Sequence, residues 1–124
     1  MKFMTMVKSS ENSGPPPQEL MDAIAKLGEE AGRKGVMVDM GGLMPTAHGA
    51  RVRVAGGKIT VTDGPFAEAK EVIGGFAVFD VPSKDEAVYW TKRFMEVHKE
   101  HWPAWEGETE VRQIYEGAPV SEQR

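Results

Sequence analysis

The sequence predicts an α+β domain in which two helices cover one face of an antiparallel sheet. Strand-like and helix-like hydrophobic periods alternate in the order β-α-β-β-α-β, with one extra hairpin inserted. Two segments, 2–8 and 73–81, are mostly apolar on both sides, as the central strands of such a sheet should be. These observations define the fold class before any single residue is considered.

The first half of the chain supplies a strand, a helix and a second strand. Over residues 2–8 the side chains alternate, and Met4 and Met6 mark one of two largely apolar sides. After a break rich in proline, apolar residues at helical spacing predict a helix over Pro17–Lys34. Val36–Leu43 is the next apolar strand.

The second half begins with two β segments, Arg51–Val54 and Lys58–Thr62, joined by a glycine pair that suits a tight hairpin turn. Ile73–Val81 is the most strongly apolar strand. Ser83 then has the character of a helix N-cap, and an apolar stripe predicts the second helix. Glu108–Glu116 is the last strand.

Without the hairpin, this order is the ferredoxin-like βαββαβ pattern. Right-handed crossovers place both helices on one face of the sheet, with Ile73, Ala77 and Phe79 expected to share a side. The other face, with Met4 and Met6, is left uncovered, and an open apolar face is usually an interaction surface. We therefore expect a homodimer that packs sheet against sheet, with room for a ligand between the two sheets.

Length and composition narrow the possible functions. The 124 residues suit one domain, residues 1–116, followed by a polar C-terminal tail, residues 117–124. A net charge of -4 argues against nucleic-acid binding, and the absence of cysteine removes disulfides and thiol chemistry. With no apolar run long enough to span a membrane, no membrane association is expected and a cytoplasmic location is predicted.

Asp63 is the candidate catalytic residue. It follows Ile59 and Val61 on the apolar side of its strand, where a carboxylate would be partly desolvated and suited to proton transfer near neutral pH. Alternatively, Asp63, Gly64 and Pro65 form only a turn in which the aspartate binds its own backbone.

Arg51 and Arg53 are the candidate anion ligands. Their spacing of two places both guanidinium groups on one face of a strand, where they could clamp a carboxylate or phosphate. Alternatively, their charges keep an exposed hairpin edge from pairing with another strand. The rest of the predicted ligand pocket is formed by Gly64, Pro65, Phe66, Gly74 and Gly75.

No metal site or cofactor is predicted. His98 and His101 share a helix face, but a third ligand is not evident, and a cation near a helix C-terminus is favoured in any case. His48 is either a general base or a solvated loop histidine. Trp102 and Trp105 either form an aromatic platform for a ligand or pack the helix end against the last strand.

Asp63-Gly64-Pro65-Phe66 and Ile73-Gly74-Gly75-Phe76, together with Glu110-Val111-Arg112, resemble the YCII-related family, in the subgroup named for its Asp-Gly-Pro-Phe signature. The resemblance extends over nearly the whole chain. It implies a ferredoxin-like domain that dimerises into an α/β barrel. Relatives in the wider superfamily include small isomerases, dehalogenase-like enzymes and monooxygenases that act on small organic molecules.

In YCII-like proteins a His-Asp pair is a proposed active site. Asp63 matches the aspartate, whereas none of the three histidines in this chain lies at the matching position. The resemblance also implies a regulatory partner, because members of the subgroup often accompany extracytoplasmic-function sigma factors.

The leading hypothesis is an enzyme-like site for a small anionic organic molecule, with Asp63 as acid or base and Arg51 or Arg53 neutralising the anion. The alternative is a non-catalytic dimer that senses a ligand or binds a sigma factor. In a third hypothesis the Asp-Gly-Pro-Phe motif is only structural.

Overall fold

The computed structural model describes residues 1–116, and the predicted tail, residues 117–124, lies outside the described residues. The described chain has the predicted α+β architecture. The strands are β1 (Lys2–Ser9), β2 (Met37–Gly42), β3 (Ala50–Ala55), β4 (Lys58–Asp63), β5 (Val72–Asp80) and β6 (Gly107–Gln113), and the helices are α1 (Gln18–Arg33) and α2 (Lys84–His101).

Four strands form one antiparallel sheet in the order β2-β5-β1-β6, and β3 and β4 form a separate hairpin. The strands that are apolar on both sides, β1 and β5, are central, as the sequence predicts. Phe3 and Phe79 face the helices and pack with Leu27, Ala31 and Trp90 in the buried core. This arrangement confirms the ferredoxin-like topology with an inserted hairpin.

Local signals place the ends of the elements. The Ser83 hydroxyl accepts a hydrogen bond from the Glu86 backbone N–H and caps α2. Gly35, with φ of +71°, allows the chain to leave α1 in a left-handed conformation. Gly56 and Gly57 both have positive φ, which the tight hairpin turn between β3 and β4 requires.

The strand β5 departs from the predicted alternation. Val7 pairs with Gly75 but Lys8 pairs with Ile73, so Gly74 is an extra residue in β5, a β-bulge. Cross-strand partners share a face, and the bulge therefore turns Ile73 to the side of Lys8, away from Ala77. The prediction that Ile73 shares a side with Ala77 and Phe79 is wrong because strict alternation fails at the bulge.

The sheet face opposite the helices carries Met4, Met6, Phe76 and Val78 on the two central strands. All four are half-buried by their neighbours in the sheet. Within residues 1–116, neither helix is long and apolar enough to cross a membrane.

Candidate functional site

A cavity of about 440 Å³ lies between the two helices and the sheet. Apolar side chains from α1, aromatic side chains from the end of α2, and glycines at the ends of β2 and β5 enclose it. Its lining includes Leu20, Met21 and Ile24 of α1, Gly42, Leu43, Gly74 and Gly75 at the strand ends, Thr5 of β1, and Thr91, Phe94, His98, Trp102 and Trp105.

Glycines in the sheet explain why the core is open at this position. Gly42 pairs with Gly75, which in turn pairs with Val7, so two of three adjacent positions have no side chain to fill the space under the helices. A Cβ added at Gly42 would meet no atom within 4 Å. The sheet therefore contributes bare backbone to this wall, as glycine in a strand often does where a ligand approaches.

The mouth of the cavity lies between the start of α1 and the end of β2. Met21 and Leu43 both line the cavity and are 45% and 49% exposed. A small molecule would enter between these two flexible apolar side chains.

Among residues 1–116, no charged side chain lines the cavity. Thr5 and Thr91 use their hydroxyl protons inside the fold, donating to the carbonyls of Ala77 and Ala87 at 3.4 and 2.7 Å. Because transferring an ion into such surroundings without a partner is costly, the cavity suits a neutral ligand.

Trp102 and Trp105 pack the end of α2 against the last strand, as one of the two alternatives predicts, while their role as a platform for a ligand stays a prediction. Their rings stack at 6.2 Å and both line the cavity. Trp105 also packs on the first residue of β6, since a Cβ added at Gly107 would lie 2.3 Å from its ring. The pair joins the end of α2 to β6 and presents an aromatic wall.

His98 is the polar residue that sequence reasoning did not single out for this cavity. It is only 7% exposed, its Nδ1 lies 2.9 Å from the Phe94 carbonyl oxygen, and its ring is 4.5 Å from that of Trp105. Burial lowers the pKa of His98. The shared helix face with His101 did not reveal this role, because it depends on the burial of His98 between the rings of Phe94 and Trp105.

The Asp-Gly-Pro-Phe motif forms a tightly packed loop against the turn at residues 46–48. The Gly64 N–H donates to the Gly49 carbonyl at 2.9 Å, and the Phe66 N–H donates to the Thr46 hydroxyl at 3.1 Å. A Cβ added at Gly64 would lie 1.6 Å from the Thr46 carbonyl oxygen. The peptide bond between Gly64 and Pro65 is cis. Gly64 thus has a clear packing role.

Glu11 secures the other side of this turn. Its carboxylate accepts from the Thr46 hydroxyl at 2.6 Å and from the Thr46 backbone N–H at 2.8 Å. These hydrogen bonds, the hydroxyl first, lower the pKa of Glu11. Thr46 therefore links the segment after β1 to the motif loop, a role that local sequence patterns did not reveal.

The two predicted arginines and Asp63 lie on opposite faces of the hairpin. Asp63 pairs with Ala50, on the face of Val52 and Val61, whereas Arg51 and Arg53 pair with Thr62 and Thr60 on the other face. Within one chain the hairpin therefore does not bring the aspartate and the guanidinium groups together.

Arg51 already has partners in the motif loop. Its guanidinium donates to Glu68 and lies 3.9 Å from the centre of the Phe66 ring. The pKa of Glu68 is lowered, first by a hydrogen bond with the backbone of Glu68 itself and second by the hydrogen bond from Arg51. Arg53 is exposed.

A second, more open groove of about 470 Å³ runs beside the motif loop. Arg51, Phe66, His48 and Glu71 line it, and Leu43 separates it from the mouth of the cavity. Of the predicted site residues, Arg51 and Phe66 therefore contact the groove, and Gly74 and Gly75 contact the cavity.

The structure defines an α+β domain with an uncharged cavity between its helices and sheet. A family model, the YCII-related domain, matches residues 1–117, so the chain belongs to the YCII-related family. It is also 40% identical over 68 residues to an uncharacterized protein of Rhizobium meliloti (strain 1021). The match covers 55% of this chain and 52% of that protein, so the chain spans about half the length of that relative.

Proposed function

We propose that the protein binds a small, neutral and largely apolar organic molecule in the cavity between its helices and its sheet. The observation that carries this proposal is an uncharged cavity of about 440 Å³, within the usual size range of small-molecule pockets. An anionic ligand would lose its hydration there without gaining a cationic partner.

Two fluorescent probes test the charge preference. N-phenyl-1-naphthylamine is neutral, and 8-anilinonaphthalene-1-sulfonate has the same anilinonaphthalene skeleton with an added negative charge. We expect saturable binding of the neutral probe and at least tenfold weaker binding of the sulfonate. Equal or stronger binding of the sulfonate would contradict an uncharged binding cavity.

Substitution of Gly42 locates the binding. In Gly42→Leu the new side chain projects into open space at the cavity wall, so the variant should fold and lose most of its affinity for the neutral probe. Gly32→Leu is the matched control, because a Cβ there also meets nothing within 4 Å but the residue does not line the cavity. Unchanged binding in Gly42→Leu would place the probe elsewhere.

Acid–base catalysis on a small anionic molecule is a second candidate function, which one observation favours. Asp63 lies at the end of an apolar hairpin face on which Val52, Val54, Ile59 and Val61 are 67–72% exposed. Covering this face with a second copy of the chain would desolvate the carboxylate, as acid–base catalysis requires. Because Asp63 and Arg51 of one chain lie on opposite faces of the hairpin, the groove beside Arg51 of that second copy would hold the anion. The resemblance of residues 63–66 to the Asp-Gly-Pro-Phe signature supports the proposal that the chain assembles into a dimeric α/β barrel.

The catalytic hypothesis is tested with a panel of small acids and lactones. We expect turnover of at least one compound by the wild-type protein and a loss of about 100-fold or more in Asp63→Asn, the usual range for removing a general acid or base. Equal rates in both proteins would exclude a catalytic Asp63. A non-catalytic dimer that binds a sigma factor would instead retain a directly measured affinity for the purified factor in Asp63→Asn.

A further inference from the structure

We infer that the ligand of the cavity carries an O–H or N–H group on a planar apolar skeleton, as a phenol does, and that this group donates a hydrogen bond to Nε2 of His98. This inference rests on the proposed function, because it names the ligand class of the same cavity.

The surroundings of His98 determine which ring nitrogen holds the proton. The Phe94 carbonyl oxygen, 2.9 Å from Nδ1, can only accept a hydrogen bond. Nδ1 must therefore carry a proton, and in the neutral ring Nε2 has the free lone pair. The rings of Phe94 and Trp105, each 4.5 Å from the imidazole, hold it in this orientation.

Nε2 is accessible to a ligand. Within residues 1–116 every fully buried side-chain nitrogen or oxygen has a hydrogen-bond partner, and the hydrogen bond of His98 is made by Nδ1. Nε2 must therefore contact open space, and the cavity is the space that His98 lines.

The same nitrogen is suited to accept rather than to donate. Burial lowers the pKa of His98, which keeps the imidazole neutral at neutral pH. The Thr5 and Thr91 hydroxyl protons are used by backbone carbonyls. An imidazole lone pair beside the stacked indoles of Trp102 and Trp105 therefore matches an aromatic ring with an attached donor.

A matched pair of ligands tests this inference in the full chain. 2-Naphthol has the required donor, and 2-methoxynaphthalene has nearly the same shape without it. By calorimetric titration we expect the naphthol to bind about 3- to 10-fold more tightly, the difference that one net hydrogen bond provides. Equal affinities would overturn the inference and leave the proposed function intact. If neither compound nor the neutral fluorescent probe bound, the proposed function itself would fail.

Variants assign the effect to one residue. His98→Phe should remove the preference for 2-naphthol, while His101→Phe, one turn further along α2, should keep it. A retained preference in a folded His98→Phe protein would overturn the assignment. If His98→Phe did not fold, ¹⁵N NMR of the wild-type imidazole would decide, since only 2-naphthol should shift the Nε2 resonance. No shift, or the same shift with both compounds, would also overturn it.

Discussion

Gly64 shows how one missing methyl group can allow two stretches of backbone to pack. Its Cα approaches the Thr46 carbonyl so closely that a Cβ would lie 1.6 Å from the oxygen, while its N–H donates to Gly49. Gly64 has no positive φ, so the requirement comes from contact and not from backbone conformation. The most distinctive motif of the chain therefore contains at least one residue whose role is packing.

Gly64→Ala is expected to destabilise the protein. Either the turn at Thr46 or the motif loop must move to admit the methyl group, at a cost of about 1–3 kcal/mol, typical of overpacking. Urea unfolding followed by tryptophan fluorescence measures the change. Gly74→Ala is the control, because its Cβ would meet nothing within 4 Å and its stability should change far less. Similar losses in both variants would contradict the packing argument.

Periodicity and end signals were sufficient to predict the helices and strands. The Ser83 cap, the glycine turn of the hairpin and the two-sided apolar character of β1 and β5 are all local properties of the sequence. The last strand was predicted to end at Glu116 because apolar residues continue to that point. It ends at Gln113, where its pairing with β1 stops.

The candidate site was predicted less completely, for physical reasons. Alternation within β3 and β4 does not by itself show that Asp63 lies on the face opposite to Arg51 and Arg53. The faces of the two strands can be matched only when the hairpin register is known. The cavity depends on how α2 and its C-terminal tryptophans lie over the sheet, which no local pattern encodes. His98 acquires its character from burial beside Trp105, a tertiary contact.

An ion pair joins the two helices. Arg93 on α2 donates two hydrogen bonds to the Glu30 carboxylate on α1, and Lys34 lies 3.5 Å from the same group. Arg93 also lies 5.2 Å from the centre of the Trp90 ring. The side chains of Glu30 and Arg93 are only 29% and 31% exposed, so this pair is less screened by solvent than a fully exposed one.

Glu30→Gln should therefore destabilise the protein in a pH-dependent way. Arg93 holds the pKa of Glu30 at about 2, below its usual 4.5, so the unfolded state takes up the proton first as the pH falls. The stability difference between wild type and variant should be full above about pH 5, decrease as the pH falls through 4.5 and vanish near pH 2.

Thermal unfolding of both proteins across this pH range measures the difference. Glu29→Gln is the control, because Glu29 and its partner Arg33 are both more than 70% exposed and 3.9 Å apart. Such pairs contribute little to stability. A difference for Glu30→Gln that did not depend on pH would show that the variant acts through packing and not through charge.

The hairpin and the open sheet face together support assembly with a second copy. Within residues 1–116, β3 and β4 pair only with each other, and an isolated two-stranded hairpin is marginally stable in water. Its four large apolar side chains are 67–72% exposed. The open sheet face adds Met4, Met6, Phe76 and Val78. Two copies packed through these surfaces would bury both, and Asp63 with them.

We expect the protein to be a dimer with twice the mass of the 13.6 kDa chain at micromolar concentration. Ile59→Lys places a charge on the apolar face of the hairpin and should shift the equilibrium toward monomer by at least tenfold. Thr60→Lys, the next residue along β4, places the same charge on the opposite face beside Arg53 and should leave the dimer intact. Sedimentation equilibrium measures both. A monomeric wild-type protein would refute the dimer, and equal dissociation in the two variants would refute a role for the apolar hairpin face in forming it.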